Sequence, residues 1–137
     1  MRTTLHHALL AALVSLLFAP PAVAQLAQLA ELAKTTPEQR AEFQTEFMNR
    51  KLDLSSEQLE SIKKINLAMA TDAQPILEGD GSMFGKAIKI RKIQATRERK
   101  LKALLSKEQF QRFEDAKGEL QSAMRERFGS TAASGDP

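Results

Sequence analysis

The stretch Leu54-Ser55-Ser56-Glu57-Gln58 returns further along the chain as Leu105-Ser106-Lys107-Glu108-Gln109, and these two copies decide how the rest is read. In each, the serine suits an N-cap, accepting a hydrogen bond from a backbone N–H of the first helical turn. The glutamine three residues on can reach back to the cap's own N–H, closing a capping box. Glu57 and Glu108 put negative charge into the first turn, where the helix dipole favours it. Leu54 and Leu105, just ahead of the caps, can staple the incoming chain. Many helices start this way, so one copy would carry little information. Two copies with leucine and Glu-Gln at the same offsets carry more.

Working outward, the run after Ser55 places Leu59, Ile62, Ile65, Met69, Ala73 and Ile76 along one stripe at steps of three and four, with Lys63, Lys64, Thr71 and Gln74 off it. That predicts a helix with one buried face. Pro75 either kinks this helix or ends it shortly before Glu78. Gly79-Asp80-Gly81-Ser82 reads as the turn of an αα-hairpin rather than a calcium loop, because the alternating acidic ligands and closing glutamate are missing. The next helix, from about Met83 to Leu105, has a stripe of Ala87, Ile90, Ile93, Leu101 and Leu104. Arg97 interrupts it, its stem expected to pack and its head to reach the surface or a neighbouring acid. After Ser106 a last helix aligns Phe110, Phe113, Leu120, Met124 and Phe128, with Gly129 suited to the position after its end.

Ahead of the first box, Thr36-Pro37 with Gln39 marks another capped start, and the helix to about Leu52 carries Phe43 and Phe47 on one side and Met48 and Leu52 on another. Two partial apolar faces call for two neighbours. Gln25 to Lys34 reads as a short helix. Nothing has the period-two alternation of a strand. The expected fold is therefore all-α, an elongated helical hairpin with additional N-terminal helices over residues 25–129, whose spare apolar faces favour a homodimer. Residues 130–137, small and polar, are expected to be a disordered tail.

Residues 1–24 are expected to be a secretory signal peptide, with Arg2 in a positive start, a short apolar run from Ala8 to Phe18 and a small-residue site at Ala22-Val23-Ala24. The apolar run is well short of a bilayer span. This implies a periplasmic or secreted protein, cut after Ala24, without stable membrane insertion. The chain of 137 residues has no Cys, Trp or Tyr, and both histidines lie in the leader. Serine–histidine and cysteine–histidine nucleophilic sites, thiol redox chemistry and ordinary zinc or copper sites are thereby excluded from the remainder. No phosphate-binding loop is present either. A binding protein without cofactor or metal is expected, not an enzyme.

The net charge is only +3, but its distribution is uneven. Between Lys86 and Lys102 stand eight Lys or Arg residues against the single Glu98. A solvated helix face, balanced by the acid-rich segment from Glu31 to Glu60, is one account of this. The other is a binding face: on a helical wheel Arg91, Lys92, Arg99 and Lys102 lie opposite the buried stripe, with Ile88 and Ala95 among them. An exposed isoleucine ringed by cations suits an acidic and partly apolar partner, and it equally suits a dimer interface. Nucleic acid is a poorer fit, since the stacking aromatics used on single strands are absent apart from Phe84. An anionic membrane surface is a better rival, although the apolar stripe has other helices to satisfy.

With LSSEQ (Leu54 to Gln58) and LSKEQ (Leu105 to Gln109) in view, the chain resembles the Spy/CpxP-like family of small exported helical proteins, whose mark is two copies of an L-T-x-x-Q motif; serine here stands where threonine is usual. The resemblance covers about Leu52 to Met124. It implies a bent helical hairpin that dimerises antiparallel into a cradle, and an ATP-independent chaperone for unfolded or stress-damaged envelope proteins. It equally implies an accessory partner of an envelope-stress sensor. The missing His and Cys speak against the family's metal-responsive branch. A structural helical protein without clients is the plainest alternative.

Overall fold

The structure, a computed structural model, describes residues 30–129. The leader expected at 1–24, the first residues of the Gln25–Lys34 run and the tail expected at 130–137 lie outside these residues. Residues 30–33 are helical, and four long helices follow: α1 (Pro37–Leu52), α2 (Ser56–Glu78), α3 (Met83–Leu104) and α4 (Lys107–Gly129). No strand occurs among the described residues, and the fold is all-α.

Local chemistry accounts for the helix starts. Thr36, Ser55 and Ser106 each accept from the N–H three residues on, at 3.2, 3.2 and 3.1 Å, and each donates its own N–H to the glutamine side chain at that position. All three capping boxes are formed. Ser82 caps α3 by accepting from Gly85 N–H at 3.1 Å, a start that lacks the returning glutamine. At the end of α1, Asp53 takes the left-handed conformation (φ 50°, ψ 60°), which a short polar side chain tolerates better than most. Helix α2 runs one turn past Pro75, where Gly79 N–H closes on Pro75 O at 3.1 Å. The proline therefore lies within the last turn and does not end the helix.

Helix α1 lies between α2 and α4, α2 packs in turn on α3, and the neighbours α3 and α4 touch little, diverging from their short connection. The two sides foreseen for α1 each find a neighbour. Phe43 and Phe47 pack with Leu120, Met124 and Phe128 of α4, the rings of Phe43 and Phe128 meeting edge-on at 5.5 Å. Met48 and Leu52 join Ile62, Leu101, Leu105 and Phe113 in the main core. Full burial of aliphatic side chains such as Ile62 and Leu101 stabilises the fold by on the order of 2 kcal/mol each.

Two expected stripes are rotated. On α2 the fully buried line is Ile62, Asn66, Ala70, Ala73 and Leu77, while Leu59, Ile65, Met69 and Ile76 are half-buried. The helix serves two neighbours, and the line facing α1 is deepest; close approach there suits alanine, and Asn66 is admitted because its polar atoms are bonded. On α3 only Arg97 and Leu101 are buried. Ala87 is exposed, and Ile90, Ile93 and Leu104 are half-buried, because the first half of α3 leans on α2 alone.

The two halves of the chain are related. Helices α2 and α4 both have 23 residues and both begin at the third position of the repeated motif. Between the two boxes, Gln58 Nε2 donates to Gln109 Oε1 at 2.8 Å and Gln109 Nε2 to Gln58 Oε1 at 3.0 Å. Gln58 also donates to Leu104 O at 3.3 Å, and Gln109 to Leu52 O at 3.2 Å. Each glutamine thus reaches a carbonyl at the end of the helix that precedes the other box, where helix carbonyls lack intrahelical partners.

Candidate functional site

The outer face of α3 carries a continuous row at helical spacing: Phe84, Ile88, Lys92, Ala95, Arg99 and Lys102, with Arg91 beside it. All seven are exposed, Phe84 to 78% and Ile88 to 40%. Lys89, Arg91, Lys92, Arg99, Lys100 and Lys102 make no ion pair among the described residues. On the other helices, Arg50, Lys51, Lys63, Arg112 and Lys117 all have a carboxylate within 4.0 Å. The acids between Glu31 and Glu60 do not neutralise α3 by contact.

Where α3 and α4 diverge they leave an open groove of about 850 Å³. Lys92, Ala95, Thr96, Arg99 and Lys102 form its α3 wall, and Phe110 and Glu114 contribute from α4, with Glu98 also lining it. Four of the expected binding residues, Lys92, Ala95, Arg99 and Lys102, thus meet in one concavity. Ile88 and Arg91 are outside its lining. Phe110 and the two glutamates were not legible as groove residues, since Phe110 belongs to the apolar row of α4. The signal for Phe110 is the shortness of the Leu105-Ser106 connection, which keeps the first turn of α4 beside the last turns of α3.

Polar contacts fix this groove. Lys117 of α4 pairs with Glu98 of α3 at 3.1 Å and with Glu114 at 2.8 Å, bridging the two helices. Its ammonium is held above the usual lysine range, chiefly by the hydrogen bond to Glu114, with Glu98 adding to it. Glu114 Oε1 is shut off from solvent and makes no hydrogen bond. Lys102 Nζ lies 5.9 Å from the centre of the Phe110 ring, within cation–π range. Arg99 donates to Thr96 Oγ1 at 3.1 Å.

Behind the groove, the head of Arg97 corrects the expectation that it reaches the surface or an acid. The residue is 9% exposed. Its Nε donates to Asn66 Oδ1 of α2 at 2.9 Å, its Nη2 to Met48 Sδ of α1 at 3.4 Å, and its guanidinium carbon lies 5.4 Å from the Phe113 ring centre of α4. No carboxylate among the described residues pairs with it. Burial holds its pKa down at about 10, against a raising effect of Glu98. One side chain of α3 therefore contacts all three other helices.

Among the described residues no cluster of His, Cys, Asp and Glu could hold a metal ion, and no helix is long and apolar enough to cross a membrane. Fold and groove define an all-helical protein with a basic, partly apolar recess. A family model described as a domain of unknown function, DUF4890, matches residues 24–113, and the chain belongs to that family. The match takes in all three capping boxes, helices α1 to α3 and the start of α4. No curated protein and no solved structure matches the chain.

Proposed function

We propose that this is an exported, ATP-independent chaperone-like protein, working as a homodimer, that binds unfolded or stress-damaged envelope proteins on the α3 face and the groove between α3 and α4. The observation that carries this reading is the row of unpaired cations on α3 converging on Phe110. Unpaired charge attracts acidic segments over a distance set by the ionic strength. The groove then offers shallow apolar contact at Ala95 and Phe110, with Ile88 and Phe84 further along the same row. Contact of this kind is weak enough to release a client without nucleotide. The likeness of the doubled motif to the Spy/CpxP-like family supports the same reading, as does the leader expected at residues 1–24.

The test is light scattering from an aggregating client at low salt, without ATP, with the purified protein at stoichiometric ratio. Suppression is expected, weakening in Lys92→Glu/Arg99→Glu. A client that aggregates at the same rate with and without the protein refutes the proposal. The fixed order of charges around Phe110, with Glu98 and Glu114 among the cations, favours a second reading as a binding partner of one envelope sensor. That reading predicts a single saturable crosslink and little general suppression of aggregation.

A further inference from the structure

A second, narrower cleft of about 190 Å³ lies between α2 and α3, on the other side of the Lys92–Thr96 ridge from the groove described above. We infer that this cleft binds a small carboxylate amphiphile, with its carboxylate at Arg97 and its tail along Ile65, Met69 and Ile93. The inference does not depend on the chaperone reading.

Arg97 carries its charge at only 9% exposure. A charge buried to this degree is costly unless an opposite charge faces it, and none is in contact among the described residues. Its Nε donates to Asn66 and one N–H of its Nη2 to Met48. Nη1 makes no hydrogen bond among the described residues and is not shut off from solvent. Arg97 lines this cleft, and its guanidinium keeps N–H groups that can donate there. The lowered pKa of about 10 still leaves the group charged at neutral pH.

Lys92 and Lys100 flank the same cleft and make no ion pair, so the local field favours an anion. Asp72 is the one carboxylate in the lining, and it lies beyond 4.0 Å of all three cations. Apart from Thr96, whose hydroxyl already bonds Lys92 O and Arg99, the rest of the wall is apolar: Ile65, Ala68, Met69 and Ile93. Such a wall satisfies a hydrocarbon tail and leaves the amides of a peptide without partners. The volume is below the roughly 300–1,000 Å³ of sites for drug-sized ligands, which restricts the ligand to a head group and a short chain.

Titration of the purified protein with octanoate, followed on the methyl resonances of Ile65, Met69 and Ile93, tests this. Saturable shifts confined to these methyls are expected, with octanol binding at least about tenfold more weakly because it lacks the charge-assisted bond. Ala68→Phe, which fills the cleft from an exposed position, and Lys100→Glu, which repels the head group, are each expected to abolish the shifts while the thermal melt stays in place. Equal binding of octanol and octanoate overturns the inference, as does wild-type binding by either folded variant. Shifts spread along Lys89 to Lys102 without saturation also overturn it. So does a glutamate-bearing peptide that moves these methyls when octanoate does not.

Discussion

Gln58 and Gln109, fifty-one positions apart, use the full hydrogen-bonding capacity of both amides. Each oxygen accepts from its own cap N–H and from the other glutamine. Each Nε2 donates to the other glutamine and to the helix end before the opposite box. A carboxylate has no N–H to give, so Gln109→Glu breaks the reciprocal bond and takes one donor from Leu52 O, which keeps the bond from Arg112 Nη2 at 3.1 Å. A loss of about 1–3 kcal/mol is expected in urea unfolding. A double-mutant cycle with Gln58→Ala and Gln109→Ala should return a coupling of at least about 0.5 kcal/mol. Strict additivity would show that the boxes act separately.

Removing the Arg97 charge alone leaves Asn66 Oδ1 buried and unbonded. Arg97→Met is therefore expected to cost about 1–3 kcal/mol, whereas Arg97→Met/Asn66→Leu should recover most of it, because an apolar replacement of a buried polar pair is often neutral or stabilising. The pH dependence has a definite sign. Burial lowers the folded pKa to about 10, so above that pH the unfolded chain holds the proton more tightly and this residue's contribution to stability rises with pH. Unfolding free energies from pH 9 to 11 should move in favour of the wild type relative to Arg97→Met, by at most about 1.4 kcal/mol per pH unit. The comparison cancels the lysines common to both.

Arg40 holds the segment before α1. Its Nη1 donates to Leu32 O, Thr35 O and Thr35 Oγ1, and its Nη2 to Ala70 O and Gln74 Oε1. A lysine cannot span both sets. Arg40→Lys should lower stability by about 1–3 kcal/mol and speed amide hydrogen exchange at Lys34 and Thr35, whose N–H groups bond to Glu31 O and Leu32 O.

The exposed cations of α3 should be dispensable for folding. With no ion pairs to lose, Arg91→Glu/Lys92→Glu/Arg99→Glu is expected to stay within about 0.5 kcal/mol per substitution of the wild type in chemical unfolding. The same variant should lose client binding and its salt dependence. A large drop in stability would assign these residues to the fold.

Gly118 lies inside α4 with open space where a Cβ would go. Gly118→Ala should raise stability by about 0.5–1 kcal/mol, read as a shift in the urea midpoint.

The sequence by itself determined whatever depends on neighbours three or four residues apart. The boxes at Thr36, Ser55 and Ser106, the turn at Gly79 to Ser82, the two-sided character of α1 and the charge concentration on α3 all follow from local hydrogen bonding and helical periodicity. Tertiary structure alone decided how deep each face lies. Arg97 reads as an interruption of an apolar stripe and Asn66 does not stand out at all, yet they pair at the centre of the fold, because a polar group can be buried once its partner comes from another helix. Likewise Phe110 reads as one more core aromatic, and it lines a groove because α4, joined to α3 by a short connection, packs on α1 and hardly on α3. The repeated motif was legible as two caps. That the caps hold one another is a contact between the two halves of the chain, which no periodicity within either half encodes.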